Sequence, residues 1–349
     1  MARIDSMKNK VSHRLFDCGT LIAILALAWP TMLEQLMQTA VQYIDTAMVG
    51  TLGTQATAAV GSTGTVNWVI GSTISAVGVG FLSYIAKAYG AKDQAAAKRA
   101  VAQAALLTCV LGVVFTVLTV SLSGVIPVWM RVDPGIRKMA STYFLILYLP
   151  MLPRTASIIF GTVLRSAGDT KSPMKIGLLV NLVNVALNFL LIYPVRQIKV
   201  ASLHVTMWGA GLGVVGAAAA SAIAFTVGGI CITWVLWKHP AISPKGQRFA
   251  PDMEILRPCM WVAFPNMLQR FGTSLGYVAF AAMINSLGEV STAAHTIANT
   301  VESLFYIPGY GMQTAAATLA GNAYGANDGK RMKRLAAMFI PLETVLMIG

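Results

Sequence analysis

The sequence predicts an all-α membrane protein that crosses the bilayer many times and consists of two parallel, repeated six-helix lobes, the second of them incomplete. Three observations support this prediction. Of the 349 residues, 56% are hydrophobic and only 11% are charged, and the mean hydropathy is +0.66, which is a membrane composition. Long apolar segments alternate with short basic loops, and the pattern of the first segments recurs in the later part of the chain.

The apolar segments are long enough to cross a bilayer, which takes about 20 helical residues. Taken in order, they predict eight spans and the beginning of a ninth. Their approximate ranges are 21–50, 56–86, 100–128, 139–163, 174–195, 207–237, 259–287, 291–320 and 335–349.

The basic residues predict how these spans are oriented. With the amino terminus in the cytoplasm, 19 of the 26 lysines and arginines fall on the inner side, whereas the outer loops hold Arg131, Arg137, Lys138, Arg196 and Lys199. Positive-inside bias therefore predicts a multi-pass protein of the cell inner membrane with a cytoplasmic amino terminus. Because the basic residues lie in short loops, the net charge of +13 does not indicate a nucleic-acid partner.

The sequence contains an internal repeat, in which equivalent residues are separated by the same number of positions as Pro30 and Pro265. We call this separation the repeat offset. At the same offset, the loop YGAKD at 89–93 aligns with YGAND at 324–328. Six spans separate the copies, so both start on the same side of the membrane. Such parallel repeats are related by a pseudo-twofold axis along the membrane normal, with a site between the halves. We therefore expect a first lobe at 1–240 with six spans, and a partial second lobe at 241–349 that makes the chain a fragment.

Two carboxylates lie within the first span. Glu34 and Asp45 are separated by three helical turns plus about 20°, so they share one helical face with Gln38. Carboxylates at this depth are costly and are typical of ion or substrate handling. The alternative is that contacts with neighbouring helices simply satisfy them.

The fifth span carries a stripe of asparagines. Asn181, Asn184 and Asn188 follow the i, i+3, i+7 spacing of one helical face, and Ser221 in the sixth span adds a hydroxyl. Such oxygens suit a hard cation or a carboxylate partner. Alternatively, these side chains form hydrogen bonds between helices, worth about 0.6 kcal/mol each. Three amides on one face favour a polar pocket.

Two arginines, Arg154 and Arg270, fall within apolar spans. Each has a buried acid such as Glu34 or Glu302 as a candidate partner, or extends toward the interface along its alkyl stem. Near Arg154, the prolines at 150 and 153 predict a kink, which leaves carbonyl groups for the guanidinium to satisfy.

The sequence provides little support for an enzyme. No GxxxxGK[ST] loop is present, so an ion gradient rather than ATP would drive transport. A GxSxG motif contains Ser274, and His295 follows in the next span. That motif needs a strand-to-helix turn for a hydrolase, whereas here it lies inside an apolar helix. The four cysteines have no metal-binding spacing.

These residues resemble the multidrug and toxic compound extrusion (MATE) family. The resemblance rests on the proline entry with DTAMVG at 45–50, LRSAGDTKSP at 164–173, the asparagine stripe and the two YGA loops. It implies two six-helix lobes around a central cleft. It also implies alternating-access export of small, often cationic and lipophilic compounds in exchange for protons or sodium. We expect no cofactor besides the coupling ion, a lipid bilayer as surroundings, and a monomer.

The resemblance also implies roles for individual residues. Those at the cation-coupling site are Asp45, Asn184, Asn188 and Ser221, of which the first three are a possible sodium site. The residues predicted for a substrate cleft, from their polar side chains within the spans and not from the resemblance, are Glu34, Gln38, Asn181 and Glu302. Some branches have an aspartate at the position of Asn188, which leaves less negative charge for sodium here. Another branch has a glutamate at the position of Thr273.

Two other functions are retained as alternatives. One is a lipid-linked saccharide flippase of the same exporter superfamily, which a groove lined with arginines would favour, with Arg154 and Arg270 as the candidates. The other is an intramembrane serine hydrolase that uses Ser274.

The predicted topology can be tested by cysteine labelling of intact cells. A membrane-impermeant maleimide added outside should label Asp133→Cys and should not label Asp169→Cys, since these positions flank the fourth span on opposite sides. The reverse labelling pattern would contradict the orientation.

Overall fold

In the computed structural model, the described residues are 18–130, 132–200, 203–285 and 289–348, and they are mainly helical. The helices are α1 Cys18–Gly50, α2 Thr54–Gly61, α3 Gly64–Gly90, α4 Gln94–Leu122, α5 Ile126–Trp129, α6 Pro134–Tyr148, α7 Met151–Ser166, α8 Lys171–Leu191, α9 Gly213–Lys238, α10 Met253–Asn285, α11 Glu289–Gly325 and α12 Gly329–Ile348. Two strands, β1 Pro194–Val200 and β2 Leu203–Ala210, lie between α8 and α9.

Some sequence predictions fall outside the described residues. These are the amino-terminal basic residues Arg3, Lys8, Lys10 and Arg14, the outer-loop residue Arg131, and the repeat positions Leu287 and Gly288.

Within the described residues, five helical segments are long and apolar enough to cross a membrane by themselves: α1, the α2–α3 segment Thr54–Gly90, α4, α8 and α9. The pair α6 and α7 meets the same criteria together and is bent by 53° at the break between them. The bend lies at Leu149 and Pro150, where proline removes a backbone donor. These six units correspond to the six predicted spans of the first lobe. The three remaining predicted spans are helical, as α10 to α12, but are less apolar.

The start predicted for the sixth span, at 207, is wrong. Residues 203–210 belong to an antiparallel hairpin in which Val200 pairs with Leu203 and Lys199 with His204. The helix α9 begins only at Gly213, after Gly211 and Gly213 adopt positive φ angles of 65° and 55°. Such backbone angles favour glycine and interrupt a helix. Apolarity alone cannot separate a short strand from the first turns of a span.

The internal repeat is visible in the backbone. Helices α1 and α10 each contain an internal proline at the equivalent position of the repeat, Pro30 and Pro265. The same offset relates the end of α3 at Gly90 to that of α11 at Gly325, and the start of α4 at Gln94 to that of α12 at Gly329.

The loops that follow α3 and α11 share one conformation. Lys92 has a φ of 60° and Asn327 a φ of 52°, and they are the positive-φ residues other than glycine in the described chain. In the first loop Asp93 Oδ1 accepts a hydrogen bond from the Ala96 N–H at 2.9 Å, and in the second Asp328 Oδ1 accepts one from the Arg331 N–H at 2.9 Å. Each aspartate thereby caps the next helix.

The two halves pack against each other in a reciprocal manner. Helix α1 packs on α11, and its repeat partner α10 packs on α3, the repeat partner of α11. Gly80 of α3 lies against Cys259 and Ala263 of α10. The equivalent position in α11, Ala315, lies in one apolar cluster with Ile24 and Ala28 of α1.

Helices α3 and α11 cross at their carboxyl ends. A Cβ atom at Gly90 would overlap the carbonyl oxygen of Asn322, and one at Gly325 would overlap the carbonyl oxygen of Lys87. Gly325 is the repeat equivalent of Gly90, and Asn322 is the repeat equivalent of Lys87, so the repeat relates the two contacts to each other. The crossing therefore lies on the pseudo-twofold axis. We call this contact the α3–α11 crossing.

The main apolar core lies inside the first lobe. It includes Phe81 of α3, Phe144 and Tyr148 of α6, and Ile159 of α7, all almost fully buried. A buried glutamine of α4, Gln103, holds the connection that precedes α10: its Nε2 donates to the Ala250 carbonyl at 2.8 Å, and its Oε1 accepts from the Asp252 N–H at 3.0 Å.

The α3–α11 crossing predicts a strong effect of side-chain volume. Gly325→Leu should lower the free energy of unfolding by about 1–3 kcal/mol, because overpacking forces backbones in contact to separate. Thermal unfolding of the purified protein in detergent measures the change. As a control, Gly272→Leu in α10 should be tolerated, since nothing lies within 4 Å of a Cβ there. Equal melting temperatures for the two variants would contradict this packing.

Candidate functional site

Asp45, near the end of α1, lies against the asparagine stripe of α8. The Asn188 Nδ2 donates a hydrogen bond of 2.6 Å to Asp45 Oδ1. Asn184 and Asn188 are buried, with exposed fractions of 6% and 1%, whereas Asp45 is half-buried. The helical spacing that placed the amides on one face also places them toward α1, because α8 packs on α1.

Asn184 connects this pair to α9. Its amide lies 3.0 Å from Ser221 Oγ. With the amide turned so that its oxygen accepts from Ser221, its nitrogen lies 2.8 Å from Asp45 Oδ1 and donates to the carboxylate. In that orientation both asparagines direct N–H groups at Asp45. The structure thus brings together the four residues predicted for cation coupling, and we call them the Asp45 network.

The Asp45 network contains one negative charge, and amide N–H groups already satisfy its carboxylate. Sodium binds oxygen ligands, so it would require both amides to turn their oxygens toward the ion. Among the described residues, no group of three or more His, Cys, Asp or Glu residues converges as a metal site. With the Asn184 amide turned, the arrangement is that of a carboxylate hydrogen-bonded to amide N–H groups, and the choice between proton and sodium stays a prediction. We therefore derive no step through sodium.

Glu34, on the same face of α1, has a different partner. Its two carboxylate oxygens accept hydrogen bonds from Arg165 Nη2, at 2.7 and 2.6 Å, and both side chains are mostly buried. Arg165 lies in the last turn of α7, and its backbone carbonyl accepts a hydrogen bond from Thr318 of α11 at 3.2 Å. The ion pair thus joins α1 to α7 at a point where α11 also packs. Arg165 falls between the predicted fourth and fifth spans, at 139–163 and 174–195, so the sequence did not indicate this contact.

The other residues predicted for a substrate cleft form no hydrogen bond with the Asp45 network in the described part of the chain. Gln38 is exposed. Glu302 is also exposed, and it accepts a hydrogen bond from the Tyr306 hydroxyl at 2.7 Å. Asn181 lies one turn before Asn184 on α8, and its Nδ2 is buried without a hydrogen-bond partner among the described residues.

Arg154 does not pair with Glu34 or Glu302, and it does not satisfy carbonyls freed by the kink. Its Nη2 donates to Asn67 Oδ1 of α3, which also accepts from the Tyr148 hydroxyl at 3.1 Å. The guanidinium carbon lies 5.4 Å from the centre of the Tyr148 ring and 4.7 Å from that of Phe225. Sequence reasoning missed these partners, because helical spacing relates residues within one span and not between distant spans.

Arg270 also lacks the predicted acidic partner. Its Nε donates to Asn266 Oδ1 on the same helix at 2.9 Å. Next to it, the Ser274 hydroxyl donates to the Arg270 carbonyl at 2.7 Å, and the ring of His295 packs edge-on against Phe280. Ser274 therefore lies inside the continuous helix α10, with its hydroxyl used by that helix. This arrangement does not support a hydrolase.

The fold and the Asp45 network define a helical membrane protein of two parallel repeats with a polar cluster inside the first. Comparison with known families gives the same result. The MatE family profile matches residues 30–190 and again residues 265–349. The two matches begin at Pro30 and Pro265, the pair that defines the repeat offset. The chain belongs to the MatE family, as its motifs indicated.

Individual relatives are multidrug resistance proteins by name. The chain is 28% identical over 305 residues to a probable multidrug resistance protein NorM of Thermotoga maritima, covering 87% of this chain and 63% of that protein. It is 26% identical over 315 residues to the multidrug resistance protein MdtK of Yersinia pestis, covering 87% and 65%.

Solved structures share the fold. An outward-facing multidrug resistance MATE family transporter of the MOP superfamily matches with a TM-score of 0.83 and 25% identity, over 93% of this chain and 69% of that one. A MATE structure in a bent conformation matches with a TM-score of 0.83, 25% identity, and coverage of 93% and 70%. The chain therefore spans about two thirds of the length of these relatives.

The Glu34–Arg165 pair predicts a measurable coupling. Glu34→Gln and Arg165→Gln should each lower the unfolding free energy by about 1–3 kcal/mol, because each leaves a mostly buried partner unsatisfied. The double variant should lose less unfolding free energy than the sum of the two single losses, as expected for residues in contact. Thermal unfolding of all four proteins measures this, with the exposed Glu302→Gln as control. Additive effects would show that the pair contributes nothing.

Proposed function

We propose that this chain forms the first lobe and part of the second lobe of a secondary active transporter. The transporter exports small, often cationic and lipophilic compounds from the cytoplasm by alternating access. The observation that carries this proposal is the Asp45 network: an ionisable group inside a membrane span, held by the amides of Asn188 and Asn184 on α8, of which Asn184 also contacts Ser221 of α9. Such groups are typical of ion-coupled transport. The names of the NorM and MdtK relatives support the drug-like substrate class.

The proposed coupling ion is the proton. Asp45 carries the one carboxylate of the network, and the surrounding groups can serve both of its protonation states. The amide N–H groups of Asn184 and Asn188 donate to the ionised form. The Asn188 Oδ1, which is buried without a partner in the described part of the chain, can accept a hydrogen bond from the protonated form after the amide turns.

Protonation would then change the contact between α1 and α8. Asn188 would lose an acceptor of full negative charge, and charge-assisted hydrogen bonds are about twice as strong as neutral ones. Helix α1 contains Pro30, at which it can bend. A proton entering from the outside therefore shifts the balance between two positions of α1, and its release to the cytoplasm resets that balance. A cationic substrate competes with the proton for the same charge.

The flippase alternative has less support. It requires a groove lined with arginines, whereas Arg154 contacts Asn67 on α3 and Arg270 contacts Asn266 on α10. The two guanidinium groups thus have separate partners in the two halves of the repeat.

The proton-coupling proposal predicts that Asp45→Asn loses gradient-driven efflux and still folds, because the neutral amide imitates the protonated carboxyl group. We would measure export of a fluorescent organic cation from proteoliposomes, in a chain completed to the length of its relatives. A pH gradient and then a sodium gradient would be imposed. The wild type should respond to the pH gradient.

The control is Glu34→Gln, which removes the other carboxylate on the same face of α1. Its transport per folded molecule should stay coupled, although its stability falls. Wild-type efflux by Asp45→Asn at normal expression would contradict the role of Asp45. A response to sodium alone would contradict proton coupling.

A further inference from the structure

The guanidinium of Arg154 is a buried positive charge inside the first lobe without a counter-charge. The ion pair found among the described residues is that of Glu34 with Arg165, so no carboxylate in that part of the chain neutralises Arg154. Its Nη1 is buried and makes no hydrogen bond there. Arginine stays protonated in proteins, and an unpaired charge inside a membrane protein is costly. The structure therefore leaves both a charge and a donor for a ligand.

The surroundings of Arg154 are suited to an amphiphilic ligand. The rings of Tyr148 and Phe225 lie against the guanidinium, and Asn67 fixes its Nη2. Arg154, Asn67 and Phe225 are partly exposed as whole residues, although the unpartnered Nη1 of Arg154 is itself buried. Arg154 also lies in the first turn of α7, where the dipole of that helix adds to the positive potential. The position attracts an anion and offers apolar surface beside it.

The Arg154 position is near the Asp45 network but distinct from it. Phe225 follows Ser221 by one helical turn on α9, or about 6 Å along the axis. Thus one face of α9 contacts the Asp45 network through Ser221 and the arginine through Phe225. A positive and a negative group of one small molecule can be bound in the same lobe.

We propose that Arg154 is an anion-binding position of the first lobe, which takes the carboxylate or phosphate group of a small aromatic amphiphile. This inference rests on the proposed function only in that organic ligands enter the lobe. A planar guanidinium binds such oxyanions with two parallel hydrogen bonds.

The test compares two probes that differ in one group: dansylglycine, a carboxylate, and its uncharged carboxamide. Binding to the purified 349-residue chain in a maltoside detergent is followed by dansyl fluorescence. The wild type should bind the carboxylate about tenfold more tightly, which corresponds to about 1.4 kcal/mol. Arg154→Gln should bind both probes equally, whereas Arg270→Gln, which removes the other intramembrane arginine, should keep the preference. Equal binding of the two probes by the wild type would overturn the proposal.

A second variant covers the case in which Arg154→Gln does not fold. Asn67→Asp retains the arginine and gives it an internal carboxylate. Its melting temperature should rise and its preference for the carboxylate probe should disappear, because the new aspartate occupies the guanidinium. A purely structural arginine would change the melting temperature alone. Retention of the preference in Asn67→Asp would therefore count against the proposal.

Two further measurements distinguish the source of the bound oxyanion and test whether the preference belongs to Arg154. Adding a short-chain phosphatidic acid as competitor shows whether a lipid phosphate also binds: displacement in the wild type but not in Arg154→Gln supports an oxyanion position shared with lipid. Glu343→Gln, at an exposed carboxylate of α12, should leave the ratio of the two affinities unchanged. Because this assay needs no gradient, failure of proton coupling and failure of the anion position give different results. A ratio that Glu343→Gln abolishes would overturn the assignment to Arg154.

Discussion

The position of the first helix depends on two carboxylates that the membrane environment cannot leave unsatisfied. Asp45 and Glu34 lie about three turns apart on one face of α1, and each is held by a donor from another helix: Asn188 of α8 and Arg165 of α7. A Cβ atom at Gly177 of α8 would lie 3.3 Å from the Glu34 side chain. The absence of a side chain there lets α8 lie close enough to α1 for the Asp45 contact to form. The polar contacts thus determine how α1 is rotated and where it lies.

The two contacts differ in what they respond to. The Glu34–Arg165 pair consists of opposite charges in direct contact, and it fixes α1 where α11 also packs. The Asp45 contact consists of one charge against neutral amides, so a single proton changes its strength. A helix held firmly at one point and variably at another can pivot about the firm point, and Pro30 interrupts the backbone hydrogen bonds of α1 about one turn before that point.

Much of this arrangement was predictable because it depends on periodicity within one span or on the repeat. Asp45, Asn184, Asn188 and Ser221 could be grouped because helical spacing gives each a face and because carboxylates and amides are complementary. The contacts of Arg165 and Arg154 could not be found in this way. Arg165 remains helical because α7 continues to Ser166, and Gly168, with a φ of 87°, turns the chain only afterwards. The hairpin at 194–210 was missed because its second strand is apolar enough to extend the following span.

The α3–α11 crossing has a consequence for motion. Points on a rotation axis do not move when two bodies rotate about it, whereas displacement elsewhere grows in proportion to distance. Helix α3 extends 27 residues from Gly64 to its crossing end at Gly90, or about 40 Å at 1.5 Å per residue. A tilt of about 10° around the crossing would therefore leave Gly90 and Gly325 in contact and move the far end of α3 by roughly 7 Å. The close glycine contact is thus compatible with a large opening at the other end of the lobes. A single tilt angle describes the movement of both halves.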